Sequence, residues 1–217
     1  KNDLYSTFVE RGLSLLRPSG YLGAITNKTG FFLQTFEDWR RLISSEVNRV
    51  TTAVDLGFGV LDTAMVETMM YTITGAHHEG TPLTAFIRLT HEANKSGVLD
   101  STVKEVRQGE LPKGIAWQRD VAEFSDIPHG PFCYWVSKGF LNLFRTKKAF
   151  APVYGHIYQG IATGDNFRFL RCRWEIPAER IGQDAWATYA KGGTSTRWLS
   201  DFSLVVRWKD DGSEIKA

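Results

Sequence analysis

The chain is poor in cysteine and contains no long hydrophobic run. Its 217 residues include two cysteines, Cys133 and Cys172, which lie far apart and belong to no Cys-x-x-Cys pair or histidine cluster. This spacing argues against a structural zinc site and is typical of two free thiols in a reducing compartment. No apolar run approaches the ~18 residues of a membrane span, and no signal peptide is recognisable. We therefore expect a cytoplasmic protein without a metal site or membrane contact.

The chain also lacks a strong excess of charge. With 26 Lys and Arg against 24 Asp and Glu, its net charge is +2, so total charge does not indicate a nucleic-acid partner. The distribution is uneven, because residues 138–198 contain ten basic and four acidic residues. This excess predicts a polyanion-binding face in the last third, with an ordinary solvated surface as the alternative.

The beginning of the chain has a helical pattern. Apolar residues cluster on one side at ~100° per residue; they are Leu4, Tyr5, Phe8, Val9, Leu13, Leu15 and Leu16. Pro18 and Gly20 end the helix, and residues 22–25 resemble a short, fully buried parallel strand. A helix of this type normally crosses over from a preceding strand. We expect that strand, and the first half of its domain, to precede Lys1.

The following pattern predicts an α/β fold. A second helix around residues 36–47 is followed by strands at 50–56 and 66–74, and residues 83–90 are read as a further strand at the sheet edge. This order is typical of the second half of a doubly wound sheet. We divide the chain into a sheet domain at 1–90, a connecting segment with a helix at 91–150, and a β-rich segment at 151–217.

Within these parts, some patterns are weaker. Residues 91–126 show no clear periodicity. From Asp126 onward, a Pro-Gly turn is predicted to lead into a helix with Trp135, Phe140, Leu141 and Phe144 on its apolar face. In the last third, Gly164-Asp165 is a dipeptide typical of hairpins. No Gly-rich phosphate loop follows a strand, so a complete dinucleotide site is not indicated.

Five sequence blocks resemble adenine-N6 DNA methyltransferases. "DLYSTFVERGLSLLRPSGYLGAIT" resembles the helix and strand that follow the catalytic Asn-Pro-Pro-Tyr motif, and "VDLGFGVLDTAMVETMMYTI" is similar to the next strand, loop and strand. "DIPHGPFCYWVS", "GIATGDNFRFLR" and "YAKGGTSTRW" resemble fused methyltransferase–recognition proteins, namely type IIG restriction–modification enzymes and the adenine methyltransferase of the bacteriophage-exclusion (BREX) system. The blocks lie within residues 2–74 and 126–217.

The resemblance implies the second half of a Rossmann-like methyltransferase sheet, followed by the start of a target-recognition domain. It implies transfer of a methyl group from S-adenosylmethionine to adenine at a specific site in double-stranded DNA, in restriction–modification or phage defence. In the family, the Asn side chain and a Pro carbonyl of Asn-Pro-Pro-Tyr accept the two amine hydrogens, which favours attack on the methyl sulfonium.

This chain contains no Asn-Pro-Pro-Tyr. It is therefore expected to be inactive alone and to need an N-terminal part, on the same or another chain, with other defence proteins as further partners. The alternative is a catalytically empty DNA-recognition or scaffold module.

Three candidate residues follow from the resemblance for the methyl-transfer pocket. Phe8 matches the aromatic that packs on the adenine of the cofactor, and a core phenylalanine is the alternative. Relatives place an aromatic on the flipped target base at the position of Leu61, because the base must leave the duplex to be methylated. Leucine at this position leaves two alternatives, apolar contact by Leu61 itself or replacement by Phe58.

The later blocks supply candidates for DNA contact. Lys191, Gly192, Gly193 and Arg197 in "KGGTSTRW" combine charge with close backbone approach, which suits phosphate binding, with a plain β-turn as the alternative. A second set of candidates for DNA contact consists of Thr163, Asn166 and Arg168, with a capped turn as the alternative explanation for these residues. Four tryptophans of the last third are expected in the core, with base-stacking platforms as the alternative: Trp174, Trp186, Trp198 and Trp208.

Overall fold

A computed structural model describes most of the chain. The described residues are 3–45, 47–62, 64–75, 83–157, 160–182, 185–192, 198 and 202–216. The chain divides into two units, Lys1–Val153 and Tyr154–Ala217, which are described separately.

The first unit is built on a five-stranded mixed sheet. Its strands are β1 (Tyr21–Asn27), β2 (Arg49–Gly57), β3 (Thr68–Thr74), β4 (Leu83–Arg88) and β5 (Ala116–Asp120). Its helices are α1 (Leu4–Ser14), α2 (Glu37–Ile43), α3 (Lys95–Arg107) and α4 (Lys138–Thr146). The α/β fold and the predicted order helix, strand, helix, strand, strand are confirmed.

The strand order brings three strand ends to one side of the sheet. The order is β1-β3-β2-β4-β5. Because β3 is antiparallel to both β1 and β2, these two strands run in the same direction, and β4 is parallel to β2. The carboxyl ends of β1, β2 and β4 therefore lie along one edge of the sheet, which we call the carboxyl edge.

Two apolar cores cover opposite faces of this sheet because successive strand residues point to opposite sides. Ala53 of β2 belongs to the core that α1 and α2 cover, whereas Val54 belongs to the core on the α3 side. The first core is rich in aromatic rings; Phe31, for example, lies 5.3 Å from Trp39 and 5.0 Å from Tyr71 between ring centroids. Such edge-to-face pairs pack efficiently and add to the stabilisation from burial.

Helix α1 is apolar over a wider arc than the sheet covers. Tyr5, Val9 and Leu13 pack against the first core, whereas three apolar side chains of the same helix are largely exposed: Leu4 (76%), Phe8 (74%) and Leu15 (65%). The wide apolar arc predicted from the sequence thus consists of one part that packs on the sheet and another part that is exposed.

Strand β1 differs from its prediction. It is an edge strand of the described sheet and pairs antiparallel with β3, so the expectation of a fully buried parallel strand was wrong for this structure. Its burial alternates, because Leu22 and Ala24 face the first core while Tyr21 and Ile25 are 56% and 49% exposed. The prediction that β4 lies at the edge of the sheet was also wrong, because β5 pairs with its outer side.

The region without a clear sequence pattern contains α3 and β5. Asn94 caps α3, its side-chain oxygen accepting a 3.0 Å hydrogen bond from the Gly97 amide. Such caps satisfy one of the free N–H groups at a helix start. The apolar residues of α3 are few and partly buried, including Val98 and Val103, which is why periodicity alone did not reveal the helix.

The second unit has a small antiparallel sheet. Its strands β6 (Leu170–Cys172), β7 (Trp186–Tyr189) and β8 (Leu204–Arg207) are arranged in the order β6-β8-β7, and α5 (Asn166–Phe169) and α6 (Ser213–Lys216) flank them. The core is small and centred on Phe169, Leu170 and Val206. In the described part of the chain, no helix is both long and apolar enough to cross a membrane.

Candidate functional site

The carboxyl edge is surrounded by loops that follow the parallel strands. The segment after β1 forms a 3₁₀ turn at Lys28–Phe31, and the loop after β2 occupies residues 58–67. Gly57 makes the turn out of β2 with a φ of +66°, and a side chain there would lie 3.1 Å from the Thr90 Cα atom. Glycine is required at this position for both reasons.

An apolar groove at this edge contains one of the two predicted base-pocket residues. The groove has a volume of about 370 Å³, and its apolar walls include Phe32, Phe58 and Met65. Phe58 is 57% exposed and Met65 93% exposed, so their surfaces are open to a ligand. Leu61 lies in the same loop and is 42% exposed. The structure thus brings Phe58 to a cavity that can receive a planar apolar group.

A cluster of charged side chains borders this groove. The Lys28 Nζ atom lies 2.7 Å from Glu67 Oε1 and 3.6 Å from Asp55 Oδ2. Asp55 is buried, with a side chain that is 6% exposed, and the Gly57 amide donates to its Oδ1 atom at 3.3 Å. A buried carboxylate requires such partners, because burial without them is costly.

The buried carboxylate also reaches the connecting segment. The Tyr134 hydroxyl donates to Asp55 Oδ2 at 3.3 Å, and Arg88 Nε donates to the Tyr134 oxygen at 3.2 Å. Burial raises the pKa of Tyr134 above its ordinary range, although the Arg88 hydrogen bond opposes this shift. This shift favours the neutral hydroxyl, which is the form that donates to Asp55.

Arg88 is enclosed by aromatic rings. Its guanidinium carbon lies 5.2 Å from the ring centroids of Trp117 and Tyr134 and 4.8 Å from that of Trp135. These cation–π contacts fix the guanidinium direction at the end of β4. Together with Lys28, Asp55 and Glu67, Arg88 and Trp135 line a second groove of about 410 Å³, which shares Lys28, Phe32 and Glu67 with the apolar groove.

Phe8 lies near the same edge of the sheet but in a separate surface patch. The Tyr5 and Thr29 hydroxyl oxygens are 3.5 Å apart, which places the first turn of α1 beside the carboxyl edge. Phe8 follows Leu4 by one helical turn, and both are exposed. Phe8 thus belongs to no core of the described residues, its ring is accessible for stacking on a planar ligand, and its role stays a prediction.

In the second unit, the predicted DNA contacts at residues 163–168 form a capped turn. Asp165 caps α5 by accepting from the Arg168 amide at 3.1 Å, and the Thr163 hydroxyl bonds the Asn166 side-chain oxygen at 2.5 Å. The hairpin predicted at Gly164-Asp165 was wrong, because Asp165 starts a helix instead. Arg168 is exposed and forms a 2.9 Å ion pair with Glu214.

The second predicted DNA-binding set is described only in part. Lys191 and Gly192 are exposed, and a side chain at Gly192 would meet no atom within 4 Å. Gly193 and Arg197 lie outside the described residues. Lys191 and Gly192 thus offer charge and open backbone, and their contact with DNA stays a prediction.

Two of the four tryptophans expected in the core are on the surface. Trp174 is 83% exposed and Trp198 is 94% exposed, whereas Trp208 packs against the core of the second unit. A core this small cannot enclose several indoles, which explains the difference. Reasoning from sequence also missed Lys28, and its position next to a 3₁₀ turn gave no periodic signal.

Comparisons with known proteins confirm the predicted resemblance. Residues 1–58 match the family model described as Eco57I restriction-modification methylase. Over its whole length the chain is 24% identical to the adenine-specific methyltransferase BrxX of Escherichia coli O9:H4 (strain HS), of which it covers 18%. It is also 24% identical to the adenine-specific methyltransferase PglX of Lacticaseibacillus casei (strain Zhang), of which it covers 19%. The chain spans about a fifth of these curated relatives.

Solved structures with a similar fold include restriction–modification subunits. A modification subunit of a putative type I restriction enzyme from Vibrio vulnificus YJ016 has a TM-score of 0.45 and 12% identity, with 55% of this chain and 28% of that chain covered. The methyltransferase subunit of a type I restriction-modification system from Streptococcus thermophilus has a TM-score of 0.46 and 12% identity, with 58% and 28% covered.

Proposed function

We propose that this chain supplies the second half of the catalytic domain, and the start of the target-recognition region, of an S-adenosylmethionine-dependent DNA adenine-N6 methyltransferase. The physiological setting is restriction–modification or phage defence. The observation that carries the proposal is the open apolar groove at the carboxyl edge, which Phe58 lines in the loop where the resemblance places the flipped adenine. A groove of this size accommodates a nucleobase that has left the duplex.

The cofactor site lies mainly on another segment under this proposal. Phe8 is the residue of this chain that fits it, because an exposed aromatic ring beside the carboxyl edge can stack on the adenine of S-adenosylmethionine. When bound, that cofactor supplies the electrophilic methyl group. The residues of this chain orient the target base, because Phe32, Phe58 and Met65 form an apolar side of the groove against which a planar base can pack.

The missing segment is proposed to dock along β1. A strand added beside this edge strand would extend the sheet through backbone hydrogen bonds. Its flanking helices would cover exposed apolar side chains on both sides of the sheet, namely Leu4 on α1, Leu15 directly after α1 and Ile25 on β1. We propose that this segment carries the Asn-Pro-Pro-Tyr motif, on the same or a separate chain.

The test measures methyl transfer by the complete natural polypeptide that carries this sequence. Incubation with labelled S-adenosylmethionine and double-stranded DNA is expected to yield N6-methyladenine at a defined site. Binding of the same DNA without methyl transfer would refute the proposal and favour the alternative of a recognition or scaffold module. Phe58→Ala is expected to reduce turnover more than cofactor binding, with Phe150→Ala, at a position 56% exposed, as the matched control.

A further inference from the structure

The loop that carries Phe58 begins and ends at carboxylates that contact one lysine. Asp55 lies two residues before the turn at Gly57, and Glu67 directly precedes β3 at Thr68. The Lys28 ammonium is within 4 Å of both carboxylates. Lys28 therefore joins the two ends of the loop at residues 58–67 from a different segment of the chain.

Backbone contacts support the same arrangement. The Lys28 amide donates to the Glu67 carbonyl oxygen at 3.0 Å, and the Thr68 hydroxyl donates to the Gly57 carbonyl oxygen at 3.2 Å. The ends of the loop are thus held in place, whereas its apolar residues Phe58 and Met65 remain exposed. An exposed apolar loop with fixed ends can present a rigid surface to a ligand.

The ammonium of Lys28 is shielded enough for its charge to be effective. Its side chain is 19% exposed, against 6% for Asp55 and 36% for Glu67. Ion pairs in such partly buried sites are screened by salt less than surface pairs. Without the lysine, two carboxylates would face the same space without a cation between them, and their repulsion would favour separation of the loop ends.

We infer that Lys28 is a positioning residue that sets the conformation of the target-base loop through Asp55 and Glu67. Lys28 acts through the loop and is not assigned a contact with the reacting atoms. The consequence for catalysis rests on the proposed function, whereas the consequence for loop order does not. A loop that loses this clamp samples open conformations, so Phe58 no longer covers the flipped adenine, and turnover falls while cofactor binding is retained.

The experiment compares the complete natural polypeptide with its Lys28→Met variant, which keeps the length of the side chain but removes its charge. Hydrogen exchange of the Lys28 and Gly57 amides, which donate to the Glu67 carbonyl oxygen and to Asp55 Oδ1 at the ends of the loop, is expected to become at least tenfold faster. Turnover at saturating DNA and cofactor is expected to fall at least tenfold, and fluorescence of 2-aminopurine at the target position is expected to change. The dissociation constant of S-adenosylmethionine is expected to stay within twofold.

Matched variants separate the clamp from general destabilisation. Lys28→Arg keeps the charge and is expected to restore most of the protection of the loop, and Glu67→Gln, at a more exposed position, is expected to reproduce the faster exchange if Lys28→Met does not fold. Lys138→Met removes an exposed lysine that pairs with Glu123 at 2.9 Å and is expected to leave the loop unchanged.

The outcomes distinguish this inference from the proposed function. Unchanged exchange of the loop in folded Lys28→Met and Glu67→Gln variants would overturn the clamp, even if the wild type methylates DNA. Faster exchange in Lys28→Met, in a protein whose wild type proves unable to methylate DNA, would support the clamp and refute the methyltransferase proposal. Faster exchange with normal turnover in an active enzyme would overturn the assignment of Lys28 as a positioning residue for catalysis.

Discussion

Arg40 Nη2 donates a 2.6 Å hydrogen bond to the backbone carbonyl oxygen of His129, a residue 89 positions later in the chain. The same guanidinium donates to the carbonyl oxygens of Gly130, Gly30 and Leu33 at 3.0, 2.7 and 2.7 Å. Arg40 is only 2% exposed, so burial lowers the pKa of its guanidinium, and the charge of Glu37 opposes this shift. A buried cation thus attaches the connecting segment to α2 and to the loop after β1.

Arg40→Met is expected to destabilise the protein strongly. The variant leaves several buried carbonyl oxygens without a donor, and each unsatisfied group costs about 1–3 kcal/mol. We expect a loss of roughly 3–5 kcal/mol in the free energy of unfolding, measured by chemical denaturation. Arg41→Met, at an exposed position that pairs with Glu37, is the control and is expected to change the free energy by less than about 0.5 kcal/mol. Equal effects of the two substitutions would contradict the role of Arg40.

Acid is expected to weaken the contact between Glu37 and His129. Glu37 Oε2 lies 2.7 Å from His129 Nδ1, and this hydrogen bond is the main reason that the pKa of Glu37 lies below its ordinary value of 4.5. A carboxylate with a lowered folded pKa stabilises the protein above the unfolded pKa, and this contribution is lost as the pH falls through the folded value.

We therefore expect the wild type to lose more stability than Glu37→Gln as the pH is lowered from about 5 to 3. Thermal unfolding across this range provides the measurement, and His129→Gln, which removes the same contact from the other side, serves as a second variant. Parallel profiles for the wild type and both variants would show that this hydrogen bond contributes nothing to stability.

Tyr134→Phe is expected to destabilise the first unit with little change in packing. The substitution removes a buried hydroxyl that donates to Asp55 and accepts from Arg88, while the ring keeps its stacked contact with Phe86 at 4.8 Å. We expect a loss of about 1–3 kcal/mol, measured by denaturant unfolding. Tyr154→Phe, a change at a position 70% exposed, is the control. A neutral effect of Tyr134→Phe would mean that solvent replaces the hydroxyl.

Phe8→Ala is expected to weaken cofactor binding, whereas Val9→Ala is expected to lower the stability of the protein. Phe8 is exposed and Val9 is 4% exposed, so Val9→Ala should lower the free energy of unfolding by about 1 kcal/mol, whereas Phe8→Ala should leave it nearly unchanged. In the complete enzyme, Phe8→Ala is expected to weaken S-adenosylmethionine binding by about 1–3 kcal/mol. Calorimetry with the cofactor measures this difference, and equal affinity of Phe8→Ala and wild type would remove Phe8 from the cofactor site.

Lys191→Ala is expected to weaken DNA binding with little dependence on sequence. Loss of one phosphate contact should reduce the slope of log affinity against log salt concentration by roughly one. The same result is expected for Arg197→Ala. Lys104→Ala removes an exposed charge from α3 in the first unit and should leave the slope unchanged. Titrations of labelled duplex at several salt concentrations make the measurement, and an unaltered slope for Lys191→Ala would exclude it from the interface.

The sequence by itself determined the elements whose burial follows a simple period. Helix α1 has apolar residues at the spacing of a helix with one covered face, whereas β2 and β3 are short buried runs because cores cover both of their faces. The sequence blocks within these elements carried the resemblance to adenine methyltransferases. Helix α3 lacked such a strong stripe, because its apolar residues are only partly buried, and it escaped prediction for this reason.

Tertiary structure alone decided the order of the strands in the sheet and the burial and partners of the charged residues. Nothing local places β3 between β1 and β2, because strand order depends on hydrogen bonds between segments far apart in the chain. Arg40 and Lys28 look like ordinary surface residues in the sequence. Arg40 is buried because distant carbonyl oxygens, such as that of His129, replace the water that its guanidinium loses. Lys28 holds the loop ends because the carboxylates of Asp55 and Glu67 do the same for its ammonium.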